Sequence, residues 1–159
     1  MDSFPYLGII FDQSLSWGPL VKNKLLGFSR TTSAIKRFAV KIGKSPIGSL
    51  IQVYNAQSVT AATYGAEIWG YINLSALQIA ENTFCRKLLG VPQSTPVFML
   101  HQELGLRYIS DIMAIKPLLL WIKIWLRSEC SLNQLIIEDI LAMDKGFQID
   151  WISYVKKCF

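Results

Sequence analysis

The spacing of apolar positions changes once near the N-terminus, and the change predicts two kinds of element. Phe4 to Phe11 is an apolar, aromatic and β-branched run of strand length, closed by Asp12 and Ser14. It predicts a short β-strand, with Pro5 at its start or on an edge because proline cannot donate to a ladder. Beyond it the apolar positions recur at helical spacing. Ser16 and Pro19 supply a hydroxyl cap and a first-turn proline, and Gly43 supplies a stop. One long helix is therefore expected between them. At ~100° per residue, Val21, Leu25, Phe28, Ile35, Phe38, Ala39 and Ile42 fall on one side. Lys22, Arg30, Lys36, Arg37, Lys41 and Lys44 share an arc of about 140° on the other. Lys24 lies near the apolar arc and is expected at its margin, stem packed and amine in water.

The remaining pattern is helical throughout. Ser45 and Pro46 open a second helix that carries no charge as far as Gly65, with Gln52, Asn55 and Gln57 as its polar positions. Asn73 caps a third, Leu74 to Leu89, stopped by Gly90 and Pro92. Leu74, Leu77, Ala80, Phe84 and Leu88 form its apolar face, while Gln78, Glu81, Asn82 and Arg86 are expected to face away. A short fourth helix begins at Thr95-Pro96 and ends near Gly105. The fifth, Ser110 to Arg127, is apolar nearly all round except for a stripe of Lys116, Lys123 and Arg127, with Pro117 as a source of a kink. Two more are expected at about Leu132–Met143 and Ile149–Lys157. The uncharged run from Pro117 to Ile122 is far short of the ~20 residues that a membrane span needs, so no span is expected.

Charge adds a direction to this picture. The net charge is +5, yet residues 1–60 hold seven bases and two acids, and residues 61–159 hold nine of each. The excess lies entirely in the first part. No Asp or Glu stands between Lys22 and Lys44, so the basic arc has no acid at i,i+4 to pair with. A stripe of unpaired cations repels itself unless an anionic partner lies along it, and phosphate backbone is the natural candidate. The alternative is an ordinary solvated face. Three separated cysteines, Cys85, Cys130 and Cys158, with the single His101, support neither a zinc site nor a disulfide framework. No cofactor is expected. The start Met1-Asp2-Ser3-Phe4 lacks the basic and long apolar regions of a signal peptide, and an intracellular setting, cytoplasm or nucleus, is expected.

Phe4-Pro5-Tyr6-Leu7-Gly8-Ile9, followed by Phe11-Asp12 and Leu15-Ser16-Trp17, resembles the segment just after the catalytic palm in reverse transcriptases of LINE-type (non-LTR) retrotransposons. The resemblance continues at Tyr64-Gly65-Ala66-Glu67-Ile68-Trp69-Gly70, Phe84-Cys85-Arg86-Lys87-Leu88-Leu89-Gly90-Val91-Pro92 and Glu103-Leu104-Gly105-Leu106, and covers residues 4 to about 127. It implies that Tyr6, Leu7 and Gly8 lie beside the primer strand, with the basic helix behind them in a thumb that grips the template–primer duplex. The family's metal-binding aspartates lie upstream in an Ala-Asp-Asp turn. This chain has no adjacent Asp pair, and two-metal nucleotidyl transfer needs converging carboxylates. The chain thus looks like the part that follows the palm, without palm or endonuclease, and no catalysis is expected of it.

The expected architecture is mostly α-helical: a short N-terminal strand, then about seven helices. Residues 1–72 would form the palm-end strand and thumb-like bundle, and residues 73–159 a connector bundle. The expected partner is the backbone of an RNA–DNA or DNA duplex, bound by Tyr6, Leu7, Gly8, Lys22, Arg30, Lys36, Arg37, Lys41 and Lys44. Self-association or a missing palm domain would cover the apolar surface. The rival is a helical scaffold or protein-interaction module, or a decayed retroelement product, that binds no nucleic acid. High apolar content and the charge balance after residue 60 support it. Glu67, a lone carboxylate among aromatics, is expected to cap a helix or pair with a base rather than act as an acid or base, and Trp69 to fill a helical junction. His101 has no nucleophile or metal ligand beside it in sequence.

Overall fold

The computed structural model of the chain describes residues 3–14, 16–42, 46–72 and 75–126, together with Leu132, Leu135 and Glu138. It is mostly α-helical behind a short N-terminal sheet, as the sequence predicts. The helices expected at Leu132–Met143 and Ile149–Lys157 lie largely outside the described residues, as do Lys44, Asn73 and Arg127.

The run read as one strand is a hairpin. β1 (Ser3–Tyr6) pairs antiparallel with β2 (Ile9–Asp12), Tyr6 standing opposite Ile9 across the two-residue turn Leu7-Gly8. Leu7 and Gly8 have φ of 47° and 78°. Two positive φ angles define the type I′ turn, whose twist matches that of the strands it joins. Glycine takes that conformation without cost, whereas Leu7 does so against its Cβ. Phe4 and Phe11 stack across the hairpin at 5.7 Å, and Phe11 meets Trp17 at 6.1 Å, leading into α1.

Helix α1 (Gly18–Ile42) starts where expected, the Gly18 N–H donating to Ser16 Oγ at 3.3 Å. It packs on β2, on the helical path that follows and on α5. Leu20, Phe28, Thr32 and Ile35 form its buried side, which ends there: Phe38, expected on the same side, is 54 % exposed. The second predicted helix is one path of three pitches, α2 (Ile47–Val53), a π-helical segment (Tyr54–Val59) and α3 (Thr60–Thr63). The Thr60 hydroxyl donates to the Asn55 carbonyl at 3.0 Å, the same five-residue step as a π-helical ladder. Tyr54 and Ser58 within that segment are fully buried.

After a left-handed Gly65 come α4 (Ala66–Trp69), α5 (Ser75–Leu89), α6 (Val97–Leu104) and α7 (Ile109–Leu126). The chain forms two compact units, each discontinuous in sequence: Met1–Tyr64 with Leu74–Ser110, and Gly65–Asn73 with Asp111–Phe159. In the first, Tyr54 is the hub. Its ring stacks on Phe84 at 4.8 Å and meets Phe28 edge-on at 6.0 Å, the geometries that ring quadrupoles favour.

In the second unit Gly70 sets the closest backbone approach. A Cβ there would lie 2.5 Å from the Ala66 carbonyl oxygen and 2.6 Å from that of Met113. Both are backbone atoms and cannot swing aside. Gly70→Ala should therefore destabilise the protein by about 1–3 kcal/mol, measured as a lower urea midpoint by tryptophan fluorescence. An unchanged midpoint would contradict this packing. No helix among the described residues is long and apolar enough to cross a membrane.

Candidate nucleic-acid interface

The basic arc of α1 is present as a face. Lys22, Arg30, Arg37 and Lys41 are exposed and Lys36 is half-buried, and none of the five pairs with an acid among the described residues. From Lys22 to Lys41 the row extends roughly 28 Å at ~1.5 Å per residue. It is not purely cationic, since Leu26 and Val40 are exposed within the same arc. Lys36 differs from the others. Burial holds its amine below the ordinary lysine value, and the charge of Lys87 on α5 adds to the effect.

Lys24 is also unlike its expectation. Its amine does not simply reach into water: it donates to the Ala61 carbonyl at 3.3 Å and lies 5.0 Å over the Tyr64 ring. Burial lowers its pKa. The lysine thus ties α1 to α3 and takes no place in the row.

Tyr6, Leu7 and Gly8 form the tip of the hairpin, with Tyr6 60 % and Leu7 73 % exposed. A methyl added at Gly8 would lie 3.5 Å from Tyr64 Cε1, so the tip leans on the ring that Lys24 covers. The structure therefore brings the Tyr-Leu-Gly tip and the start of α1 together through Tyr64.

The other motifs hold the fold. Ala66 and Trp69 are fully buried, and Glu67 pairs with Lys116 at 3.4 Å, the base-pairing role expected of it. Phe84 and Cys85 are buried, and Arg86 donates to the Thr95 carbonyl at 3.2 Å, bracing the loop before α6. Gly105, at φ 62°, ends α6, and the Leu106 N–H returns to the His101 carbonyl at 2.9 Å.

Sequence reasoning missed a buried polar cluster. Glu81, expected to face away from the core, has no exposed surface. It accepts from the Tyr54 hydroxyl at 2.7 Å, from Gln78 Nε2 at 2.9 Å and from the Ile109 N–H at 3.0 Å. Gln78 Oε1 takes the next N–H, of Ser110, at 3.2 Å. Two side chains of α5 thus cap the first turn of α7, where a negative group also suits the helix dipole. The reason for the miss is coverage: α5 packs against both α1 and α6, so its polar side is interior. His101 joins the cluster, with Nε2 3.1 Å from Asn82 Oδ1 and 3.9 Å from Glu81 Oε2, and its ring 4.1 Å from that of Tyr108. Among the described residues no group of three metal-ligating side chains converges.

The same cluster silences Cys85. Burial pushes its thiol up to about 12, with the Glu81 charge contributing, and burial likewise raises the Tyr54 phenol. Because the thiolate is the reactive species, Cys85 should resist iodoacetamide at pH 8 in the native protein and react in urea, as read by peptide mass spectrometry. Linkage gives the sign with pH. Both folded pKa values are raised, so the stability is fully present below the unfolded values and falls as pH rises from about 9 toward 12.

Comparison with family models, curated proteins and solved structures gives no match for this chain.

Proposed function

We propose that α1 grips the phosphate backbone of a nucleic-acid duplex, and that the chain is a non-catalytic, thumb-like part of a LINE-type reverse transcriptase. The observation that carries this is the row of exposed cations, Lys22, Arg30, Arg37 and Lys41, with no acid paired to it among the described residues. The Tyr6-Leu7-Gly8 tip, exposed at the start of the same helix, supports a primer-side contact. Fluorescence anisotropy with a labelled RNA–DNA hybrid across a salt series tests it. Three to five phosphate contacts should give a log–log slope of about −3 to −5, with little dependence on sequence. Absence of binding at low salt would remove the proposal.

A second reading has its own support. Ile115, Leu119, Trp125 and Leu126 of α7 are exposed large apolar residues, which favour contact with a protein partner or self-association. These residues belong to the second compact unit and the α1 row to the first, and this reading is what remains if the duplex does not bind.

A further inference from the structure

Between α1 and α5 lies a groove of about 200 Å³, lined by Ser29, Thr32, Ser33, Lys36, Thr83 and Lys87, with Phe84 and Ala80 beneath. Two lysines on different helices face one cavity, and no acid among the described residues pairs with either. Lys87 and the two serines are exposed and Lys36 is half-buried, and bringing like charges together around one groove is unfavourable unless an anion completes it. The hydroxyls divide into two sets. Thr32 donates to the Phe28 carbonyl at 2.8 Å and Thr83 to the Ile79 carbonyl at 2.8 Å, so both are occupied within their own helices. Ser29 and Ser33, one turn apart on α1, keep their hydroxyls free of any partner among the described residues.

We propose that this groove binds a dianionic phosphate group, held by the Lys36 and Lys87 amines with the Ser29 and Ser33 hydroxyls. The charge count selects the ligand. A phosphodiester carries one negative charge, whereas a phosphate monoester carries about −1.5 to −2 near neutral pH and offers three acceptor oxygens. Two ammonium groups and two free hydroxyls match the second. A terminal phosphate can also enter a recess end-on, while a diester is tethered on both sides. The sources with this chemistry are a phosphorylated nucleic-acid end and a free phosphate or pyrophosphate. The site does not require the duplex grip, because Lys87 belongs to α5, outside the α1 row.

Two measurements on the full chain decide it. In the first, lysine acetylation is read by peptide mass spectrometry with and without millimolar pyrophosphate. Lys36 and Lys87 should be protected while Lys22 is not, and Lys87→Gln should abolish protection of Lys36. In the second, an RNA–DNA duplex bearing a 5′-phosphate is compared with the same duplex bearing a 5′-hydroxyl. The phosphate should tighten binding about tenfold, the worth of one charge-assisted contact, and Lys87→Gln should erase that difference while leaving the hydroxyl duplex unaffected. Protection together with this preference assigns the site to nucleic-acid ends. Protection alone assigns it to free phosphate or pyrophosphate. Equal protection at Lys22, or none anywhere, overturns the site. A duplex that fails to bind in either form overturns the grip, and the acetylation pattern then judges the groove by itself.

Discussion

Replacing Glu81 by Ala should cost about 3–5 kcal/mol of folding stability, although no sequence motif marks the residue as special. The carboxyl is fully buried, and three donors point at it from three elements: Tyr54 of the π segment, Gln78 of α5 itself and the first N–H of α7. Removing it strands these donors in the core, where each unpaired group costs about 1–3 kcal/mol. Two of them cannot turn to water, since Tyr54 is clamped between Phe28 and Phe84 and the Ile109 N–H is fixed by its helix, whereas the half-buried Gln78 amide keeps its bond to Asn82 Oδ1 at 3.0 Å. Tyr54→Phe should cost less, about 1.5–3 kcal/mol, because it removes one bond to a charged acceptor and leaves the others. The two substitutions should be less than additive, as groups sharing one network are. Equilibrium urea unfolding of both single variants and the double variant measures each quantity. A Glu81→Ala protein within about 1 kcal/mol of the parent, the ordinary effect of a point substitution, would mean that the cluster is not built as described.

That cluster also shows where sequence reasoning stops. α1 was legible because twenty-five residues of one helix repeat the same apolar period, and the exposed cations fall where the period puts them. Glu81 was not legible. A charge on the polar side of a fifteen-residue helix reads as solvated unless one knows that a second helix, α6, covers that side. The pattern Gln78, Glu81, Asn82 is the trace such a cluster leaves, three polar residues on one face, but a solvated face leaves the same trace. The hairpin was missed for a different reason. Both of its strands are apolar, so the period does not register the turn, and only Gly8 inside the run hinted at one. The π segment leaves no periodic signature at all, since Tyr54 and Ser58 stand four apart as in any α-helix.

The candidate site divides similarly. Charge and helical phase put Lys36 with Lys22, Arg30, Arg37 and Lys41, and its half-buried position sets it apart from those four exposed residues. At its position on α1 it meets α5, and Lys87, which lies in the Phe84–Pro92 motif but was not among the expected contact residues, completes a groove with it. Lys24, by contrast, was singled out correctly as an exception, but its partner, the Ala61 carbonyl, lies thirty-seven residues away and could not be read from spacing.

Substituting Arg30, Arg37 and Lys41 together by Gln should lower affinity for an RNA–DNA hybrid by 10²–10³-fold, on the order expected at 0.1 M salt for losing three phosphate contacts. These three are chosen because they are exposed, lie along one face and have no acid partner among the described residues. Lys36 is left in place because the groove holds it. Counterion release sets the size of the effect. Each neutralised phosphate contributes a slope of about −0.9, so the variant's log–log salt dependence should be shallower by about 2–3. The fold should be unaffected, since Gln matches Arg and Lys closely in helix propensity and no packed group is removed. Circular dichroism should show the same helix content. The comparison is a second variant, Arg107→Gln with Lys123→Gln, which removes exposed cations elsewhere in the chain. If affinity depends only on net charge, the second variant should lose ground in proportion, two cations against three, with a similar change of slope per cation. If α1 is the grip, it should lose little. Anisotropy titrations of both variants from 50 to 300 mM salt, roughly the range over which such contacts lose their strength, separate the two cases, and proportional losses would leave α1 without a claim to the duplex.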